Sequence, residues 1–243
     1  MLIINADDWG GWKTATDAAL ACQEKGRITS VSAMVFMEDS ARAADLAKAR
    51  GMDVGLHVNF TQAFTDARCP SSVVKHQDRI GKFLRRKKAA LVLYHPLLNK
   101  SFRAVFQAQY DEFLRLYGKP PTHIDGHQHM HLCTNMLLKR VIPKGERVRR
   151  SFSFWPGEKS LPNRLYRRWV DGRLKQSYRL TDYFFALSQN LQGKSLERIV
   201  GLSKDGNVEL MTHPEKPAEQ AFLMSEDFLK ITQALPMGGY ALV

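Results

Sequence analysis

Short apolar runs alternate with longer segments of helical periodicity along the whole 243-residue chain, and this constrains the fold more than any other feature. Strands too short to bury themselves, each followed by an amphipathic helix, have one economical solution: βα units around a mainly parallel sheet. The runs predict strands at Leu2–Asn5, Ser30–Val35, Asp53–Val58, Thr122–His127, Arg147–Phe152 and Val208–His213. The 3.6-residue period predicts helices at Thr14–Lys25, Ser40–Ala49, Phe102–Tyr117, Leu196–Ser203 and Ser225–Leu235. Gly26, Gly51 and Gly118 each follow a predicted helix, where a left-handed terminating residue is favoured. Ser40 and Ser225 are expected N-caps.

Two stretches depart from the alternation. Residues 61–101, with Pro70, Pro96 and the basic run Arg85-Arg86-Lys87-Lys88, read as a long loop with room for one helix. Residues 153–180 contain Pro156, Gly157 and Pro162, with Leu161, Leu165, Trp169, Val170, Leu174 and Tyr178 at helical spacing among arginines. The reading is a single α/β domain over residues 1–243 with two insertions.

Composition removes other classes. With 44% hydrophobic and 25% charged residues the chain is neither disordered nor fibrous. Its longest wholly apolar stretches, such as Ala89–Tyr94, fall far short of the roughly 18 to 20 residues of a membrane-spanning helix. Leu2-Ile3-Ile4 runs straight into acids, unlike a secretory leader, so a cytoplasmic location is expected. Cys22, Cys69 and Cys133 are odd in number and widely spaced, which argues against a disulfide framework or a cysteine-rich zinc site. The net charge of +12 is uneven: residues 139–179 hold thirteen bases against Glu146, Glu158 and Asp171, a surplus of ten. One face of the protein therefore expects something anionic.

The chemistry-bearing residues gather where predicted strands end, which in parallel sheets and βα barrels is where sites are built. The first strand leads into Asn5-Ala6-Asp7-Asp8-Trp9-Gly10, the third ends in Gly55-Leu56-His57, and the fourth in His123-Ile124-Asp125-Gly126-His127-Gln128-His129-Met130-His131. Met211-Thr212-His213-Pro214 adds a lone histidine. Acids from one strand end and imidazoles from two others suit a divalent metal with open positions for water. Asp7-Asp8 taken alone equally suits a helix cap, and His57 alone reads better as a hydrogen-bonded core histidine. On an extended strand His123, Asp125, His127, His129 and His131 would share one face, more titratable groups than packing explains. They cannot all bind one ion, so some must support the ligands or lie beyond the strand end.

Taken together, these four motifs, in this order and spacing, resemble the YdjC-like carbohydrate deacetylase family, and the resemblance runs from residue 2 to about residue 242. It implies a distorted (β/α) barrel, a divalent ion (Mg or Zn), and removal of acetyl from N-acetylated sugars. It implies Asp8, His57 and His127 as ligands, Asp7 as general base and His213 as general acid. Arg149 falls at an arginine position of the family and is expected on the substrate side. Trp9 replaces the usual Phe and is expected to enlarge a sugar-stacking surface, while Gly11-Trp12-Lys13 departs from the usual small residues. The resemblance also favours a homodimer.

Competing readings are a metal-dependent phosphoesterase, a glycosidase, or a basic binding protein. Retaining glycosidases set two carboxyls about 5 Å apart across a sugar, which adjacent Asp7 and Asp8 do not readily supply. No nucleic-acid motif is present. The pattern from Leu161 to Tyr178, with arginines around Trp169, suits a membrane surface. The expected partner is thus an N-acetylated sugar, with the insertion meeting anionic lipid at the inner face of the membrane or a phosphate- or lipid-linked substrate.

Overall fold

Period-2 side-chain alternation sorts each strand into an outer face that helices cover and an inner face. Leu2, Ile4 and Ala6, Val31 and Ala33, Val54, Leu56 and Val58, and Val208 and Leu210 all join the main apolar core. These residues lie on β1 (Leu2–Trp9), β2 (Ser30–Ala33), β3 (Val54–Val58) and β6 (Val208–Thr212); β4 (Ile124–Gly126) and β5 (Tyr183–Ala186) complete the sheet. All pairs are parallel, in the order β4-β3-β2-β1-β6-β5. This computed structural model describes residues 1–86, 88–155, 157–191 and 195–243, so Lys87 of the basic run and Pro156 lie outside the described residues.

The expected strand Arg147–Phe152 is corrected. This segment closes the curled sheet without joining it as a regular strand. Ile124 N donates to Arg147 O (2.8 Å) and Arg149 N to Ile124 O (3.1 Å) on the β4 side; Val148 N donates to Arg179 O (2.9 Å) and Ser153 N to Phe184 O (2.8 Å) on the β5 side. Its β-bridges are isolated, one to Ile124 and one to Arg179, so neither side builds a ladder. The regular strand on that edge is β5, whose four-residue run Tyr183-Phe184-Phe185-Ala186 is brief enough to pass for loop. The sheet and this spanning segment form the expected distorted barrel.

The helices are α1 (Lys13–Glu24), α2 (Ser40–Ala49), α3 (Ser71–Leu84), α4 (Asn99–Tyr117), α5 (Thr134–Lys139), α6 (Leu161–Lys175), α7 (Ser195–Gly201), α8 (Pro217–Leu223) and α9 (Glu226–Thr232). The first insertion is thus more regular than a loop: α3 turns Val73, Gln77, Ile80 and Leu84 inward and packs on α4. Gly118 ends α4 at φ +68°, which only glycine adopts without strain. Ser225 caps α9, accepting from Phe228 N. Ser40 does not cap α2; Asp39 holds that position, and the Ser40 hydroxyl accepts from Met37 N and donates to Met34 O.

One glycine is required by close packing. A Cβ on Gly55 would lie 2.2 Å from Cε1 of His123, whose ring is wholly buried and stacks on Tyr240 at 3.8 Å. Gly55→Ala is expected to cost about 1–3 kcal/mol by overpacking. The urea midpoint should fall with unchanged slope, and an unshifted midpoint would show that the ring can move aside.

Candidate active site

Neighbouring residues on a regular strand point to opposite faces, so Asp7 and Asp8 can serve one site only if the strand is broken between them. It is. The register runs Asn5↔Ser30, Ala6↔Val31, then Trp9↔Ala33, one extra residue on β1, and Asp8 takes the left-handed value φ +63°. This bulge re-aims the second acid, and Gly11 N donating to Asp8 O at 3.0 Å closes the turn.

Asp8 faces two imidazoles. Its Oδ1 lies 2.9 Å from His127 Nδ1 and 3.4 Å from His57 Nε2, and one ligand atom from each of the three falls within 4.8 Å of the others. The far nitrogen of His57, Nδ1, meets Asp125 Oδ1 at 2.8 Å. That is how ligating histidines are commonly oriented, with the carboxylate fixing the ring and raising its basicity. Burial works to lower the His57 pKa, but Asp125, Asp7 and Asp8 outweigh it and raise it well above the usual range. Burial likewise opposes the charge on Asp8, and the bonds from His127 and His57 overcome it, leaving the carboxyl well below the usual range. The pocket therefore favours positive charge between these three side chains. Asp7, His57 and Asp125 also cluster, but Arg149 already supplies the cation there.

Asp7 stands beside this set, clamped. Arg149 Nη1 donates to its Oδ2 (2.8 Å) and Nη2 to its Oδ1 (2.6 Å), with Asn5 Nδ2 adding a third bond at 2.9 Å. Arg149 has no exposed surface, and it also bonds Glu209 through Nε (2.8 Å) and Asp125 through Nη2 (2.7 Å). Burial acts to raise the Asp7 pKa and Arg149 more than cancels it, so the carboxyl sits below the usual range. Burial pushes Glu209 up to about 7, with Arg149 pulling the other way and Tyr240 Oη donating to the second oxygen. His213 closes the far side, its Nε2 4.0 Å from Asp8 Oδ2 and its backbone N donating to Glu219 Oε2 (2.8 Å).

The structure thus brings together Asp7, Asp8, His57, His127, His213 and Arg149. Two expectations are corrected. Trp9 is fully buried with its indole donating to Ala43 O, so it has no face for a sugar. Arg149, expected on the substrate side, is equally enclosed and touches carboxylates only; it positions Asp7. The shared face of the histidine cluster is also revised, because β4 ends at Gly126 and Gln128 and His129 adopt left-handed φ of 53° and 58°. His129 consequently packs edge-on against Phe152 at 4.6 Å, and His131 Nε2 donates to Arg149 O at 3.0 Å.

Sequence reasoning passed over Glu209, Glu219 and Ser32, and left Asp125 among the undivided cluster. Glu209 carried a signal, an acid inside the apolar run Val208-Glu209-Leu210-Met211. Ser32 had none: its role, bonding Asn5 and Asp125 (both 2.8 Å) and His123 (2.9 Å), exists only once β1, β2 and β4 are brought together.

A curled parallel sheet with an acid–histidine cluster at its carboxyl ends places the chain among the (β/α)-barrel proteins that build sites there. The family model described as YdjC-like protein matches residues 1–235, and the chain belongs to that family. Chitooligosaccharide deacetylases of Yersinia enterocolitica and Proteus mirabilis are 30% identical over 222 and 228 residues, each covering 88% of this chain and 81% of the relative. The crystal structure of a protein from Enterococcus faecalis V583, named for cellobiose-phosphate cleavage, superposes with a TM-score of 0.65 over 98% of this chain and 97% of that one, at 18% identity, and shares the fold.

Proposed function

We propose that this protein is a metal-dependent hydrolase that removes the acetyl group from an N-acetylated amino sugar. The observation that carries this reading is the convergence of Asp8, His57 and His127 beside a separately clamped carboxylate, Asp7, with His213 on the other side of Asp8. The names of the relatives in the YdjC-like family point to the same chemistry.

The donor set fits a divalent cation: one carboxylate and two imidazoles, with one ring fixed from behind by Asp125. Asp8, His57 and His127 would hold the ion. When bound it supplies Lewis-acid polarisation of a carbonyl and a lower pKa for water, and Mg and Zn both suit the ligands. The residues of the chain do the rest. Asp7 is ionised throughout the neutral range and held in one orientation by the Arg149 fork, so it takes a proton from attacking water without first having to turn. The amine leaving the acetyl group is a strong base and must depart protonated. His213, on the far side and 19% exposed at its side chain, donates that proton from its ring. We assign the sugar to a cleft whose Phe152 packs on His129, two residues after His127. This cleft of about 310 Å3 at the end of β5 is lined by Phe152, Ser153, Phe154, Trp155, Ala186 and Asn190. Its aromatic residues take the stacking role expected of Trp9.

Acetate release settles the reading. Protein loaded with Mg or Zn should free acetate from N-acetylglucosamine oligosaccharides or from phosphate- or lipid-linked N-acetyl sugars. A chelator should stop it, and Asp8→Ala should lower bound metal. Phosphate or reducing sugar released without acetate would overturn the reading.

A further inference from the structure

The start of the second insertion, Ser153, Phe154 and Trp155, lines the cleft assigned to the sugar, whereas its helix presents an unusual outer face. On α6 the residues turned into the core are Val170, Asp171 and Leu174. The opposite side carries Leu161, Leu165 and Trp169, spaced four residues apart and hence in one line along the helix, at 64%, 54% and 43% exposure. Arg164, Arg168 and Lys175 run beside this line, all exposed. Among the described residues their side chains have no ion-pair partner, although Arg150 and Arg147 nearby are engaged, by Asp171 and by the carbonyls of Val243 and Ala241. Asp171, the one acid of α6, is bonded to Arg150 and Ser151, so the outer face holds no negative charge.

We propose that α6 is a docking helix for an anionic lipid bilayer, lying in the interface with Leu161, Leu165 and Trp169 inserted and its bases on headgroup phosphates. An apolar line edged by cations is the pattern of helices that lie in a membrane surface. The occupant follows from charge. A second copy of this chain would set Arg164, Arg168 and Lys175 against their own equivalents, which repel, whereas anionic headgroups neutralise them. The fold is suited to the task, because Val170 and Leu174 anchor the helix to the body while its other side stays free. No helix among the described residues is long and apolar enough to cross a membrane, so contact of this kind is peripheral and salt-sensitive. This inference is independent of the deacetylase reading.

Vesicle flotation of the full chain tests it, using phosphatidylcholine alone and phosphatidylcholine mixed with phosphatidylglycerol. The protein should rise with the mixed vesicles, remain below with the neutral ones, and be released by salt. Leu165→Glu and the pair Arg164→Glu and Arg168→Glu should each lower partitioning at least about tenfold, with circular dichroism unchanged because these residues are exposed. Trp emission should shift to the blue on mixed vesicles, and Trp169→Phe should remove the shift. Equal recovery from both vesicle types, or α6 variants that float like the wild type, would overturn the proposal. So would a lipid-free dimer that Leu165→Glu dissociates, which would give this face to a second copy.

Discussion

Asp7→Asn is expected to lower acetate release by about 10²- to 10⁴-fold, the usual contribution of a positioned general base, while bound metal stays at the wild-type level. The separation of these two readouts follows from geometry. Asp8, His57 and His127 converge without using Asp7, and His57 is oriented by Asp125. Asparagine keeps the shape of the side chain and one oxygen for the Arg149 fork but cannot take a proton. Arg149 remains neutralised by Asp125 and Glu209, so the fold should survive. Because Arg149 holds the Asp7 pKa below its usual value, the base stays ionised at every neutral pH, and protonation of Asp7 does not set the acid limb of activity. A variant that releases acetate within a few fold of the wild type, or that loses its metal, would remove Asp7 from the role of base.

The largest effect on stability is expected at Arg149. Its guanidinium is the shared partner of Asp7, Asp125 and Glu209, all at 3% exposure or less. Arg149→Met fills much of the volume but leaves Asp7, Asp125 and Glu209 buried without their shared cation. Breaking a buried ion pair by removing one partner costs about 3–5 kcal/mol, and Glu209, already pushed up to about 7, would be driven further toward its neutral form. The urea midpoint measures this. Arg149→Lys keeps the charge but not the two-pronged bond, so it should fold and still lose much of its acetate release, because Asp7 is no longer held in one orientation. A loss below about 1 kcal/mol in Arg149→Met, the level of an exposed pair, would show that water enters the cluster.

These expectations could not have been framed from periodicity alone. Arg149 is one of the thirteen bases between residues 139 and 179 and is expected from the resemblance on the substrate side, yet it lies buried among Asp7, Asp125 and Glu209. The remainder of the surplus divides further: Arg147 fastens the C-terminal residues, Arg150 pairs with Asp171, and Arg164, Arg168 and Lys175 of α6 have no ion-pair partner among the described residues. Trp9 fails for a related reason. Its place next to the acid pair suggested the site, but the bulge that turns Asp8 inward sends Trp9 into the outer core among the helices.

By itself the sequence determined strands β1 to β4 and β6, the helices α1, α2 and α4, the left-handed end of α4 and the residue types available at the strand ends. Those follow from local rules, because side-chain period and capping act over four residues or fewer. Tertiary structure alone decided direction and partnership. The left-handed turn at Asp8 places two adjacent acids in one site, and those at Gln128 and His129 leave His127 beside Asp8 while His129 and His131 pack elsewhere. Arg149 meets Asp7 across 142 residues of chain. Such contacts are set by how a curled sheet brings distant strand ends together, and the free energy of burying charge makes them obligatory once it does.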